Sequence, residues 1–241
     1  MPHFENVLGL NLPNQGAFNI GGQALAATAF YQHPIIDEAV EISQQMNGLI
    51  DRIGLLEVWN NHANSMGAKI VLTNWWGGIS HFNRPRFYTG RNFELLSGLH
   101  IDLFSGLNDD PKSLVTRFLQ NGDLQLDGVG ISFFTKYFQF ASQSRNLQPF
   151  IIADKWTLLA VKADHISREL DVDWLNVDIG NRIVRFSELN AATYLLFNDY
   201  FVSRALELGV SPFYLEERVF GWRGKGNHAK NPRHMGVTLV F

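Results

Sequence analysis

Leu124-Gln125-Leu126-Asp127-Gly128-Val129-Gly130-Ile131 is the stretch that decides how this chain is read. One helix is expected to close near Gln120, because Asn121-Gly122-Asp123 is turn-forming. A second is expected to open after Gly130 and run to about Ser142. Two glycines one residue apart permit positive φ and let a ligand approach the backbone closely. The second helix then aims its unbonded N–H groups, and the positive end of its dipole, at that approach. Such an arrangement suits a phosphate. A plain tight corner between two helices is the alternative that the turn alone leaves open.

Two residues downstream add chemistry. Lys136 falls in the second helix, on the border of a face carrying Phe133, Tyr137, Phe140 and Ala141. A lysine beside aromatic surface is partly desolvated, which frees some neutral amine as a nucleophile. A surface lysine whose stem covers apolar neighbours is the competing reading. Asp154 ends the apolar run Pro149-Phe150-Ile151-Ile152-Ala153 and precedes a helix starting at Lys155. Its carboxylate is expected to cap that helix. A carboxylate held by backbone N–H groups stays ionised and can also support positive charge on a sugar.

The order Leu126-Asp127-Gly128-Val129-Gly130, then Lys136, then Asp154 after a run opening with Pro149, resembles the helix-hairpin-helix DNA glycosylase superfamily. Within it the chain is most similar to the 8-oxoguanine branch. Phe133-Phe134-Thr135-Lys136-Tyr137-Phe138-Gln139-Phe140-Ala141 resembles the lysine-bearing helix of the archaeal-type enzymes. The likeness covers roughly residues 110–170, with the helices up to Phe220 as its widest extent, and residues 1–90 show none. The resemblance implies a hairpin that holds the DNA backbone, often with a bound monovalent cation and with no other cofactor. It implies a damaged base flipped from the stack, a lysine that attacks C1′ and leaves a Schiff base, and an aspartate that supports the developing charge. Carried over, Lys136 is the nucleophile, Asp154 the carboxylate, and Gly128, Val129, Gly130 and Ser132 hold phosphate. Similar bacterial proteins stand beside antiphage defence genes, so phage DNA is an implied target too.

Two departures stand out. Many relatives carry the lysine two residues after the Gly-Val-Gly turn, where this chain has Ser132. Lys136 comes one turn later, about 6 Å along the axis. If Ser132 is the true equivalent, the lyase step is lost and water is the nucleophile. The spacing to Asp154 favours Lys136. Trp156 stands where many relatives carry histidine.

A flipped base needs a flat apolar partner. Trp75, Trp76, Phe140, Trp156 and Trp222 are candidates, each with core packing as the alternative. His62, His81, His100 and His165 show no metal-ligand spacing with nearby carboxylates, so no metal chemistry is assigned.

The rest of the chain reads as mainly α-helical, a glycosylase-like fold in one domain over residues 1–241 or in two lobes. The helix-hairpin-helix core occupies about 110–170, and C-terminal helices with a basic tail occupy 187–241. Residues 1–34 are rich in Gly, Asn and Pro and are expected to be irregular. Residues 37–59 read as one helix broken at Gly48, and 68–76 as a short helix or strand. Residues 81–91 read as a loop, and 95–107 as a weak helix. Asp110-Pro111 opens a helix. Further helices are expected over about 155–170, 189–208 and 212–220, and a strand over 235–241.

With 46% hydrophobic residues in 241 the chain can bury a real core, which excludes a disordered class. The absence of cysteine excludes disulfides, thiolate zinc sites and iron–sulfur clusters. No apolar run reaches the roughly 18 residues that span a bilayer. The opening residues 1–6 lack a basic region followed by an apolar one. Both features predict a cytoplasmic protein without a membrane partner. The net charge of −3 argues mildly against a nucleic-acid binder. Local basic clusters offset it: Arg84, Arg86 and Arg91, and then Arg223, Lys225, Lys230 and Arg233 with His228 and His234. DNA, as a duplex with a modified base or as a single strand, is therefore the expected partner. A non-catalytic helix-hairpin-helix module binding DNA or a nucleotide remains open. So does a helical scaffold with the aromatic helices near 197–220 as its partner surface.

Overall fold

A computed structural model describes residues 4–8, 18–79, 84–119, 121–170, 173–179, 181, 183–186 and 189–221. In chain order the elements are α1 (Phe4–Leu8), β1 (Phe18–Asn19), α2 (Gly21–Phe30), α3 (Pro34–Gln45), β2 (Leu49–Ile50), α4 (Arg52–Asn60), α5 (Met66–Gly77), α6 (Gly90–Ser97), α7 (Gly106–Asp109), α8 (Pro111–Phe118), α9 (Ile131–Ser144), α10 (Lys155–Ser167), β3 (Val177–Asp178), β4 (Ile183–Val184), α11 (Ala191–Glu207) and α12 (Pro212–Gly221). Short 3₁₀ turns cover Pro85–Phe87 and Ile101–Ser105. The fold is mainly helical, with two antiparallel ribbons, β1–β2 and β3–β4. No helix of the described residues is long and apolar enough to cross a membrane.

Contacts divide the chain into two compact units, Ala17–Gln148 and Met1–Gly16 with Pro149–Phe241. In the first unit α9 is the central helix, packed by α4 and α5. Residues 134 to 142 are all buried, so α9 is covered on every side. Phe138 meets Phe118 at 5.3 Å and Phe134 at 5.4 Å, and Phe104 packs on Trp59 at 5.8 Å. The amphipathic wheel expected from the sequence is corrected here: Lys136 is inside the packed surface and not on its border.

The second unit is built on α11, whose Tyr194, Phe197 and Phe201 are fully buried. Phe4 of α1 packs edge-on to Phe201 at 4.9 Å. The Asp164 carboxylate, wholly buried, accepts from Arg204 Nε at 3.0 Å, the Tyr200 hydroxyl at 2.7 Å and the Phe4 N–H at 3.4 Å. Arg204 also pairs with Glu5. This ion-pair network ties α1, α10 and α11 together.

Where caps mark the sequence, the elements follow it. Asp110 caps α8 with Pro111 at its first turn, Asn190 caps α11, and α12 begins at Pro212. Three expectations are corrected. Residues 21–30 are helical, because the alanine-rich run after Gly22 outweighs two glycines at the first turn. The break at Gly48 is complete: Asn47 and Gly48 have φ of +55° and +69°, and the chain passes through β2 before Asp51 caps α4. Residues 90–109 hold α6, a 3₁₀ turn and α7 in place of one helix, since Gly98 and Gly106 interrupt it. The expected strand at 235–241 lies outside the described residues.

Candidate functional site

The glycine corner joins α8 to α9 and is not sealed: Gly128, Val129 and Ser132 are half-buried and Gly130 is exposed. Leu126 and Ile131 anchor it in the core on either side. Gly128 has φ +75°, a left-handed conformation that glycine adopts without strain. It is also a point of close approach. A Cβ there would stand 3.0 Å from the Phe87 nitrogen and 3.2 Å from Arg86. Gly130 precedes α9 in extended conformation, and no side chain caps that helix. The Phe133 and Phe134 N–H groups turn back to the Gly130 carbonyl at 2.9 and 3.3 Å, which leaves the Ile131 and Ser132 N–H groups without an acceptor among the described residues, beside the exposed Gly130.

Helix α6 holds the loop from below, which the sequence does not announce. The fully buried Asn92 accepts from the Asp127 N–H at 2.9 Å, and its amide donates to the Asp127 carbonyl at 3.0 Å and the Phe87 carbonyl at 2.8 Å. Arg91 Nη1 donates to the Gln125 carbonyl and to Asp127 Oδ1, each at 3.0 Å. One asparagine thus binds the turn at 85–87 to the hairpin with three hydrogen bonds. Only its place thirty-five residues away in sequence hides it.

Lys136 is 6% exposed. Its Nζ donates to the Ser132 carbonyl one turn back along α9, and lies 4.6 Å from the Phe133 ring centroid. The stem runs over Gly77 at the end of α5, where an added Cβ would stand 2.8 Å from Phe133 Cε1 and 3.5 Å from Lys136 Cδ. Helical side chains lean toward the N-terminus. The lean carries the amine back toward the turn that opens with Ser132. Next in the helix, Tyr137 is fixed by its hydroxyl, which donates to Asn74 Oδ1 of α5 at 2.6 Å. Burial pushes that hydroxyl well above its ordinary pKa, so it stays a donor. Gly77 and Asn74 are further residues that sequence reading missed, because their role exists only through the α5–α9 packing.

Asp154 belongs to the other unit. The segment 149–153 reaches it as buried, irregular chain pinned to α11. Asn198 donates to the Pro149 carbonyl at 3.1 Å and accepts from the Ile151 N–H at 2.9 Å, and the Tyr194 hydroxyl donates to the Ile151 carbonyl at 3.0 Å. Asp154 Oδ1 then accepts from the Trp156 and Thr157 N–H groups at 2.8 and 3.0 Å, and Thr157 Oγ1 accepts from the Asp154 N–H. This reciprocal cap fixes the carboxylate, which is 8% exposed.

The aromatic candidates divide. Trp75 and Phe140 are fully buried, Trp75 bonded through Nε1 to the Tyr88 hydroxyl at 2.9 Å and Phe140 packed on Trp76 at 5.6 Å. Both are core residues that present no face to a base, and Trp76 at 4% exposure offers little more. Trp156 is half-buried, with Lys155 Nζ 5.5 Å from its ring centroid, and keeps an accessible surface. Trp222 and the basic residues from Arg223 to His234 lie outside the described residues.

Comparison with curated proteins and with solved structures gave no match. A family model described as "Putative 8-oxoguanine DNA glycosylase OGG-like protein" matches residues 27–220. That span takes in the corner, α9 with Lys136, the Asp154 cap and all the helices between α3 and α12. The chain belongs to the OGG-like 8-oxoguanine DNA glycosylase family.

Proposed function

We propose that this protein is a DNA N-glycosylase with AP-lyase activity, excising an oxidised purine such as 8-oxoguanine from a duplex. The observation that carries the reading is the fold-back of Lys136 to the Ser132 carbonyl. It returns the amine toward the level at which relatives carry theirs, so the later position of the lysine does not remove the nucleophile.

In this reading the corner at Gly128–Gly130 and Ser132 hold a phosphate through backbone N–H groups. The base is turned out of the stack, and Trp156 is the candidate for stacking on it. The neutral Lys136 amine attacks C1′ while the C1′–N9 bond breaks and the base leaves with the bonding pair and a proton. Ring opening gives the Schiff base, and β-elimination then breaks the 3′ C–O bond. The Asp154 carboxylate, held in place by its cap, supports the positive charge on the sugar. A monovalent cation on the hairpin belongs to the reading as well. The Leu126 and Asp127 carbonyls each accept one hydrogen bond and keep a lone pair for it, whereas Gln125 faces the Arg91 guanidinium. No step passes through that ion. A cytoplasmic location and a role against phage DNA complete the reading.

The test is incubation with matched duplexes containing 8-oxoguanine or guanine, with released base and strand breaks measured separately. Base release together with cleavage, both reduced about 100-fold in Asp154→Asn, is the expected result. Binding of the altered duplex without release of any base would leave a non-catalytic module.

A further inference from the structure

We propose that Arg86, with Arg84 beside it, forms a second phosphate contact flanking the glycine corner, so that the DNA backbone is held by guanidinium groups as well as by backbone N–H groups. The proposal rests on the DNA-binding part of the reading above, and lies wholly within the unit that carries the hairpin.

The three arginines of residues 84–91 have separate fates. Arg91 is committed to the loop through Gln125 and Asp127. Arg86 is not: its backbone carbon and Cβ come within 3.2 Å of where a Gly128 Cβ would stand, and the residue is exposed. Its guanidinium therefore starts from the floor of the corner with its stem free to reach outward. Arg84 is also exposed and only two residues upstream, about 7 Å of chain at most.

Charge around the corner is uncompensated on this side. The two carboxylates of the hairpin are each already paired with another arginine. Asp127 holds Arg91 at 3.0 Å, and Asp123 holds Arg117 at 2.7 Å, which keeps the Asp123 carboxyl below its ordinary pKa. Neither the Arg84 nor the Arg86 guanidinium has a hydrogen bond or ion pair among the described residues. An arginine pair without carboxylate partners, at the edge of an N–H-lined corner, matches the fork geometry and charge of a phosphodiester. It also answers the chain's net charge of −3, since the positive field is needed only at this face.

The full chain is titrated, by fluorescence anisotropy, into a duplex carrying a tetrahydrofuran abasic analogue and into an undamaged duplex, over a series of KCl concentrations. In Arg86→Ala, which keeps the Cβ against Gly128, the slope of log K against log salt is expected to fall by about 0.9. The affinity at 0.1 M salt should fall about eightfold on both duplexes alike. Arg86→Lys should retain the slope. An unaltered slope in Arg86→Ala overturns the proposal, and so does a wild-type chain that binds neither duplex. If the wild type binds but releases no base, the excision reading fails while the slope still decides this contact.

Discussion

Lys136 Nζ donates to the backbone carbonyl of Ser132, not to its side chain. The hydroxyl of Ser132 is thus not what holds the amine. Ser132→Ala is expected to keep strand cleavage within about twofold of wild type, as for a half-buried position without a special contact. Were Ser132 the acting residue at this level of the helix, the same substitution would abolish turnover. Rates measured at saturating enzyme on a lesion duplex separate the two.

The Asn92 side chain makes three hydrogen bonds from a fully buried site, two of them to one residue of the hairpin loop. Asn92→Ala strands the buried Phe87 carbonyl, an unsatisfied group worth about 1–3 kcal/mol, and leaves the half-buried Asp127 N–H and carbonyl to water. We expect duplex affinity to drop at least about tenfold, with the helical content intact by circular dichroism. Asn92→Asp keeps the acceptor and loses the donor, so it should fall between. Affinity unchanged in Asn92→Ala would mean that α6 does not shape the corner.

How much of this was visible in the sequence depends on how local the cause is. Asp110-Pro111, Asn190 and Pro212 act within one turn, and the helices they open were readable from spacing alone. The corner at 128–130 was readable for the same reason. Asn92, Gly77 and Asn198 act on Asp127, Phe133 and Ile151, which lie 35, 56 and 47 positions away, where no local pattern reports them. Trp75 and Phe140 looked available because aromatic character does not tell a stacking face from a core face. Lys136 and Asp154 were readable as residue types, but their membership of different compact units was not.

His165 is buried in the second unit, stacked on Tyr200 at 3.6 Å with Nδ1 2.9 Å from the Val161 carbonyl. Burial pulls its pKa below the ordinary value. The unfolded chain therefore binds a proton near pH 6.5 that the folded chain refuses. Stability from this residue is fully present above about pH 6.5 and is lost as the pH falls below it. The urea midpoint should thus decline between pH 7.5 and 5.5, and His165→Phe, which keeps the stack, should flatten the decline. An identical pH dependence in the variant would assign the effect elsewhere.

Borohydride trapping tests the central claim, that the Lys136 amine bonds to the sugar. Wild-type protein mixed with an 8-oxoguanine duplex and borohydride is predicted to give a covalent protein–DNA adduct on a denaturing gel. Lys136→Gln should give none, with yield down at least about 100-fold, the loss expected when the nucleophile itself is removed. An adduct of wild-type yield in Lys136→Gln, or base release by the wild type with no adduct at all, would contradict the account.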